Sequence, residues 1–460
     1  MSDTFSAVSP ADGSVFATRP FATASDVETA LTRADAAART WRKVPLSTRL
    51  AQLSSFVDAV VAKKAAYAEE LTLQMGRPAR YAAGELGGFE ERARRMLALA
   101  EDALAPVVPP PKDGFRRYIQ REALGVVLVL APWNYPWLTA VNAIVPALAA
   151  GNTVVLKHSD QTPLVAERLS EAAAEAGLPD GVLQHVHASH ERVAAMVADP
   201  RVQFVAFTGS VEGGRAVHEA AGKRFIHVGL ELGGKDPAYV RADAPFAHTV
   251  ENVVDGAFFN SGQSCCAIER VYVHEALYDR FVEAVVAQVK TYVVSDPRSQ
   301  ETTLGPLVRA RNAATVRAQI DAAIAAGARG LIDASTFGEL SDPYLAPQVL
   351  VDVTHEMAVM NEETFGPAVG IMRVASDDEA LALMNDSRYG LTASIWTTDL
   401  DVAEALGQQI ETGTVFMNRA DYLDPDLAWV GIKDSGRGCT LSAVGYEALT
   451  RPKSFHLREV

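Results

Sequence analysis

A chain of 460 residues exceeds what a single hydrophobic core serves and implies two or three domains. Its composition, 48% apolar and 22% charged, is ordinary for a soluble globular protein. The net charge of −15 leaves no basic excess to neutralise a phosphate backbone, which argues against a nucleic-acid partner.

The opening stretch, Met1-Ser2-Asp3-Thr4-Phe5, has neither a basic region nor an apolar core, so no secretory signal is expected. The first hundred residues read as helices. Ser25-Asp26-Val27-Glu28 has the pattern of a capping box, followed by Val27, Leu31, Ala34 and Trp41 at helical spacing. Leu50, Leu53, Val57 and Val60 mark a second helix that ends near Gly76-Arg77-Pro78. Pro106 to Pro111 is a proline-rich break and a domain edge.

From Gly125 short apolar runs alternate with helical patterns. Strands are expected at 126–130, 153–156, 182–186, 204–207 and 225–228, with helices at 136–150, 163–177, 190–198 and 211–222. Thr162, Pro163 and Gly177 bracket the second of these helices. The alternation implies an α/β fold, a Rossmann-type parallel sheet with helices on both faces. Such sheets bind ligands beyond the carboxyl ends of their strands, where residues 157–160, 208–210 and 231 fall. A second α/β set follows from Lys235 to about residue 430, and 116–122 and 451–460 alternate as edge strands. The longest apolar stretch, Leu124 to Trp133, is about half a bilayer span, so no membrane partner is expected.

The chemistry concentrates at a few points. Only three cysteines occur, and Cys265 and Cys266 are adjacent, led in by Ser261-Gly262-Gln263-Ser264. That is no disulfide framework, and a reducing compartment, the cytoplasm, is its simplest home. The small polar lead-in suggests a turn that a small molecule can reach. Glu231 lies in Leu230-Glu231-Leu232-Gly233-Gly234, where apolar neighbours raise a carboxylate's pKa toward that of a useful base. A thiol nucleophile with a carboxylate base is a kit for covalent acyl chemistry. Gly209-Ser210-Val211-Glu212-Gly213-Gly214 joins a strand to a helix, so amides at the helix start can face a phosphate. His185, His187 and His190 have no supporting carboxylate or thiol cluster, and no metal is expected.

These segments closely resemble the NAD(P)-dependent aldehyde dehydrogenase superfamily. Besides the Glu231 and Cys265 segments, the resemblance includes Pro132-Trp133-Asn134-Tyr135-Pro136, Lys157-His158-Ser159-Asp160, Phe207-Thr208-Gly209-Ser210, Glu362-Glu363-Thr364-Phe365-Gly366-Pro367 and Gly431-Ile432-Lys433-Asp434-Ser435-Gly436, in that order over nearly the whole chain. It implies a cofactor-binding domain at 1–105 and 125–233, a catalytic domain at 234–448, and a β-hairpin oligomerisation extension at 106–124 and 449–460. Cys265, two residues after Gln263, is then the nucleophile, Glu231 activates the hydrolytic water, and Asn134 donates to the oxyanion. Trp133, Lys157, Asp160, Gly209, Ser210, Leu232, Glu363 and Phe365 are the expected cofactor residues. Asp160, where relatives have Glu, favours NAD, with NADP as the alternative.

The resemblance further implies a homodimer or homotetramer and a small aldehyde substrate. Tyr135, Thr139 and Asn142 fall on one helical face beside Asn134, Cys266 lines the pocket or packs, and by resemblance Tyr422 and Trp429 lie on the segment that closes the tunnel from the other side. That face carries no Arg or Lys, so a neutral aromatic or medium-chain aliphatic aldehyde is expected. An acidic semialdehyde is the alternative, and Arg419 is then the cation nearest in sequence. A coenzyme A-acylating relative is disfavoured by Glu231, and a non-catalytic member of the fold by Cys265 with Asn134. Three departures stand out: Trp429-Val430-Gly431, Arg437 with Cys439, and His158 in place of a frequent proline.

Overall fold

The computed structural model describes residues 4–460, so Met1-Ser2-Asp3 of the opening stretch lie outside the described residues. Two parallel sheets dominate. The first has six strands, ordered Gly436–Arg437, His227–Glu231, Val202–Thr208, Val126–Ala131, Thr153–His158, Leu183–His185. All neighbours are parallel except the two-residue strand Gly436–Arg437, which runs antiparallel with Gly436 opposite Glu231. The central strands read Val-Val-Leu-Val-Leu-Ala and Thr-Val-Val-Leu-Lys-His and are buried throughout, as a sheet covered on both faces requires.

The second sheet has seven strands, ordered Arg329–Gly330, Gln348–Val351, Ala368–Val374, Ile268–His274, Asp236–Val240, Thr392–Trp396, Thr414–Met417. A separate ribbon pairs Phe115–Ala123 with Thr450–Arg458, antiparallel from Phe115↔Arg458 to Ala123↔Thr450. Residues 436–448, expected with the catalytic domain, return to the first sheet. Gly436–Arg437 joins its edge, and the Tyr446 hydroxyl donates to the Met96 carbonyl at 2.7 Å.

The N-terminal region differs from its reading. Thr4–Val8 and Val15–Pro20 form a hairpin before any helix. The first helix, Ala24–Trp41, is capped by Thr23 and not Ser25: the Thr23 hydroxyl accepts from Asp26 N, and the Asp26 carboxylate accepts from Thr23 N. The expected second helix is two, Leu46–Val61 and Lys64–Met75. Beyond Gly76-Arg77-Pro78 a 25-residue helix, Ala79–Ala103, lies against the helix Pro136–Ala149. Its apolar stripe (Leu86, Phe89, Ala93, Met96) also buries two charges, Glu85 and Arg92. Among the described residues no helix is long and apolar enough to cross a membrane.

Candidate active site

The carboxyl ends of the first sheet's strands form one wall of a cleft of about 730 Å³. Strand Val126–Ala131 delivers Trp133 and Asn134, strand Val202–Thr208 delivers Gly209 and Ser210, and strand His227–Glu231 delivers Glu231 and Leu232. The opposite wall comes from the second sheet's loops and brings Cys265, Glu363 and Phe365. Nine of the expected catalytic and cofactor residues therefore line one space.

The thiol reaches it on a tight turn. Helix Phe246–Phe258 passes into a 3-10 turn, Phe259–Gly262, where Asn260 and Ser261 adopt φ of 54° and 57°. Gly262 follows at φ 69°, and a Cβ there would lie 2.2 Å from the Gly366 carbonyl oxygen, so only glycine lets this turn meet the loop that carries Phe365. Cys265 is half-buried and faces the cleft. Cys266 is buried, and its Sγ donates to Asp421 Oδ1 at 2.9 Å, away from the cleft. Contact with the Cys265 thiol and burial together hold the Cys266 thiol well above the ordinary range. Burial pushes Asp421 itself up to about 6.

Asn134 is buried, with one amide hydrogen given to the Gln263 carbonyl at 3.3 Å. An amide nitrogen carries two hydrogens, so a second remains for an oxyanion in the cleft. Two residues on, the Pro136 carbonyl is held by His158. The imidazole Nδ1 accepts from Ser159 N at 3.0 Å, which leaves the proton on Nε2 to donate to the Pro136 carbonyl at 3.1 Å. Burial pushes His158 down to about 3, so the ring stays neutral and the link from one strand end to the next helix holds.

Glu231 accepts from Thr440 Oγ1 at 2.6 Å and from Thr208 Oγ1 at 3.1 Å. Withdrawal from water raises its pKa, opposed by the two hydroxyls and by Arg92. Behind it a second, narrow cavity is lined by Thr139, Asn142, Thr440 and Cys439. Thr139 and Asn142 thus meet the base from the side away from Cys265. Trp429 packs beside Thr440, exchanging backbone hydrogen bonds of 2.8 and 3.0 Å.

The cofactor side has the features a dinucleotide needs. Ser210 caps the helix Val211–Ala221, its hydroxyl accepting from Gly213 N at 3.1 Å, and the free first-turn amides face the cleft end. Lys157 and Asp160 pair at 3.0 Å at the end of the neighbouring strand, outside the cleft lining. A Cβ at Gly233 would fall 2.4 Å from the Glu363 carboxylate, which instead accepts from Gly234 N at 3.1 Å. Burial and the charge of Glu269 push Glu363 up to about 8. Below it Lys235 and Glu269 form a buried pair at 2.6 Å, and Glu269 accepts from the amides of Thr364 and Phe365, both at 2.8 Å. That anchor holds Phe365 at φ 51°, its ring edge-on to Trp133 at 5.6 Å. Strand-end amides, a paired carboxylate and two aromatic faces fit a nicotinamide dinucleotide. No group of three or more metal-ligating side chains occurs among the described residues.

The substrate side differs most from its reading. Tyr422 lies at the surface, its hydroxyl donating to Glu91 at 2.9 Å and the Arg419 guanidinium stacked 3.7 Å over its ring. The structure does not bring it to Thr139 and Asn142. Tyr135 lies beneath the Arg77 guanidinium at 4.3 Å, and its buried hydroxyl makes no hydrogen bond within 3.5 Å among the described residues. Cations absent from the Tyr135 face come from elsewhere. Arg92 is 8% exposed, and its Nη1 donates to the Leu138 carbonyl at 3.0 Å and to Asn142 Oδ1 at 3.3 Å. Its Nε and Nη2 have no acceptor among the described residues. Burial lowers its pKa, opposed by the charges of Cys266, Glu231, Glu85 and Asp421. The sequence signal that marks it is a charge on an apolar helical stripe.

The profile of the Aldehyde dehydrogenase family matches residues 1–455. A succinate-semialdehyde dehydrogenase [NADP(+)] of Deinococcus radiodurans is 34% identical over 449 residues, covering 98% of this chain and 94% of that protein. A phenylacetaldehyde dehydrogenase of Pseudomonas fluorescens is 35% identical over 461 residues, covering 98% and 92%. The solved succinic semialdehyde dehydrogenase of Streptococcus pyogenes, in complex with NADP+, superposes with a TM-score of 0.94 at 31% identity, covering 99% of this chain and 100% of that one. With sequence and architecture agreeing from end to end, the chain belongs to the aldehyde dehydrogenase family and is an NAD(P)-dependent oxidoreductase acting on aldehydes.

Proposed function

We propose that this enzyme oxidises an aldehyde bearing a distal carboxylate, a semialdehyde, through covalent chemistry on Cys265. The Cys265 thiolate adds to the carbonyl carbon, and the developing oxyanion takes hydrogen bonds from the Asn134 amide and the Cys265 backbone N–H. Such a donor is typically worth about 3 kcal/mol of barrier. When bound, NAD or NADP accepts the hydride. The acyl group then rests on Cys265 as a thioester. Glu231 takes a proton from water, the hydroxide adds, the C–S bond breaks, and the acid leaves as the thiolate returns. Hydrogen bonds from Thr440 and Thr208 favour the ionised Glu231 carboxylate and oppose, without cancelling, the rise that burial imposes.

Arg92 carries the substrate reading. Arg92 lies behind the lining of both cavities and holds Asn142, which lines the second; its Nε and Nη2 meet no protein acceptor among the described residues, and a carboxylate can take such an edge bidentately. The neutral-substrate expectation rested on one helical face, whereas this cation arrives from Ala79–Ala103. The semialdehyde activity named for two of the similar proteins supports the same reading. The ribbon of Phe115–Ala123 and Thr450–Arg458, with Val108 and Leu457 exposed nearby, supports a homodimer or homotetramer.

The test is kcat/KM for succinate semialdehyde, hexanal and phenylacetaldehyde in wild type and Arg92→Gln. Succinate semialdehyde should lead in wild type. Arg92→Gln should lower its constant roughly 10- to 100-fold, with hexanal changed only a few-fold. A wild-type preference for either neutral aldehyde, or an equal loss on all three, overturns the semialdehyde reading.

A further inference from the structure

One buried network joins the turn that carries Cys265 to the loop that carries Asn134. Arg77, 2% exposed, sits between two helices with its fork directed inward. Its Nη2 donates to the Asn134 carbonyl at 2.8 Å, its Nε to Asn260 Oδ1 at 3.3 Å, and its Nη1 pairs with Glu85. Asn260 Nδ2 donates to the same Asn134 carbonyl at 3.3 Å and to the Gln263 carbonyl at 3.2 Å. Asn134 Nδ2 closes the ring on that Gln263 carbonyl. Glu85 completes the frame from outside: its Oε1 accepts from Trp137 N at 2.8 Å and Leu138 N at 3.4 Å, the first-turn amides of the helix after Asn134.

We infer that Arg77 and Asn260 are positioning residues for acyl transfer, setting the separation between the Asn134 amide and the Cys265 thiol. The inference rests on the proposed roles of those two residues. Its physical basis is that one guanidinium holds both segments at once. A lysine retains the charge opposite Glu85 but cannot reach the Asn134 carbonyl and Asn260 Oδ1 together in the plane of a fork. Asn260 earns its left-handed backbone by the same reasoning: with φ of 54°, its side chain turns back across the turn it belongs to. Misplacing a reacting group by about 1 Å costs on the order of 100-fold in rate. A network in which every member is buried and paired resists that displacement.

The experiment uses the Glu231→Gln background, in which acyl-enzyme formation should stop at one NADH per site. Amplitude then counts competent sites, and the rate constant reads attack and hydride departure. Into it go Arg77→Lys and, separately, Asn260→Ala, mixed rapidly with NAD and saturating aldehyde, with NADH affinity measured by fluorescence. Positioning predicts a rate constant slowed roughly 10- to 100-fold, an amplitude still near one per folded site and an unchanged NADH affinity. A purely structural role predicts the reverse: fewer competent sites, each reacting at the parental rate, and that result overturns the inference. If Arg77→Lys does not fold, Asn260→Ala alone is read by the same two criteria. Continuous turnover in the parental Glu231→Gln protein marks a failure of the proposed mechanism instead.

Discussion

Thr440 donates a 2.6 Å hydrogen bond to Glu231 across 209 residues of chain. The strand Gly436–Arg437 makes the contact, because Gly436 lies directly opposite Glu231 on the sheet edge. A hydroxyl bonded to a carboxylate favours its ionised form, against the rise that burial imposes. Thr440→Val removes that support and should move the pH at which kcat rises upward by about one unit. Thr440→Ser should restore the parental profile. The measurement is kcat against pH under saturating substrate; superimposable profiles for Thr440→Val and wild type would remove Thr440 from the base's environment.

Cys265→Ala should abolish aldehyde oxidation, and Cys266→Ala should keep most of it. The Cys266 thiol is engaged with Asp421 outside the cleft, whereas Cys265 lines it. Steady-state NADH formation decides between them, and the opposite pattern would transfer the nucleophile's role to Cys266.

Glu231→Gln should still form one NADH per active site in rapid mixing, then stall. Attack and hydride departure need the thiol and the cofactor, while hydrolysis needs the base. The stalled species should show the acyl mass on the protein by mass spectrometry. Unimpaired steady-state turnover would exclude Glu231 from hydrolysis.

Asp160→Ser should raise NADP efficiency relative to NAD by about tenfold. A carboxylate at position 160 would repel a 2′-phosphate bound there, and its loss also frees Lys157 from their 3.0 Å pair. The ratio of kcat/KM for the two cofactors reads this directly; an unchanged ratio would place the selectivity elsewhere.

The first wall of the cleft was legible because parallel-sheet geometry sends strand ends to one edge, and Trp133, Gly209, Ser210 and Glu231 each sit at such an end. The interior polar groups were not. Glu85 and Arg92 lie on the apolar stripe of Ala79–Ala103, a helix that was not recognised as separate, and Arg77 lies in the turn before it. Helical spacing alone does not say which neighbour a stripe faces. Tyr422 was misplaced for a different reason. Asn418 and Asp421 both have positive φ, so the segment lacks the regular alternation from which side-chain direction is read.

The edge strand Gly436–Arg437 also sets an order in time. A ribosome delivers Glu231 and Cys265 well before Thr440, because the strands of both parallel sheets precede Gly436 in the chain. Until that short strand docks, Glu231 lacks its 2.6 Å hydroxyl and the cavity behind it lacks the wall that Thr440 and Cys439 provide. In a nascent chain Glu231 and Cys265 therefore emerge before the residues that complete their surroundings.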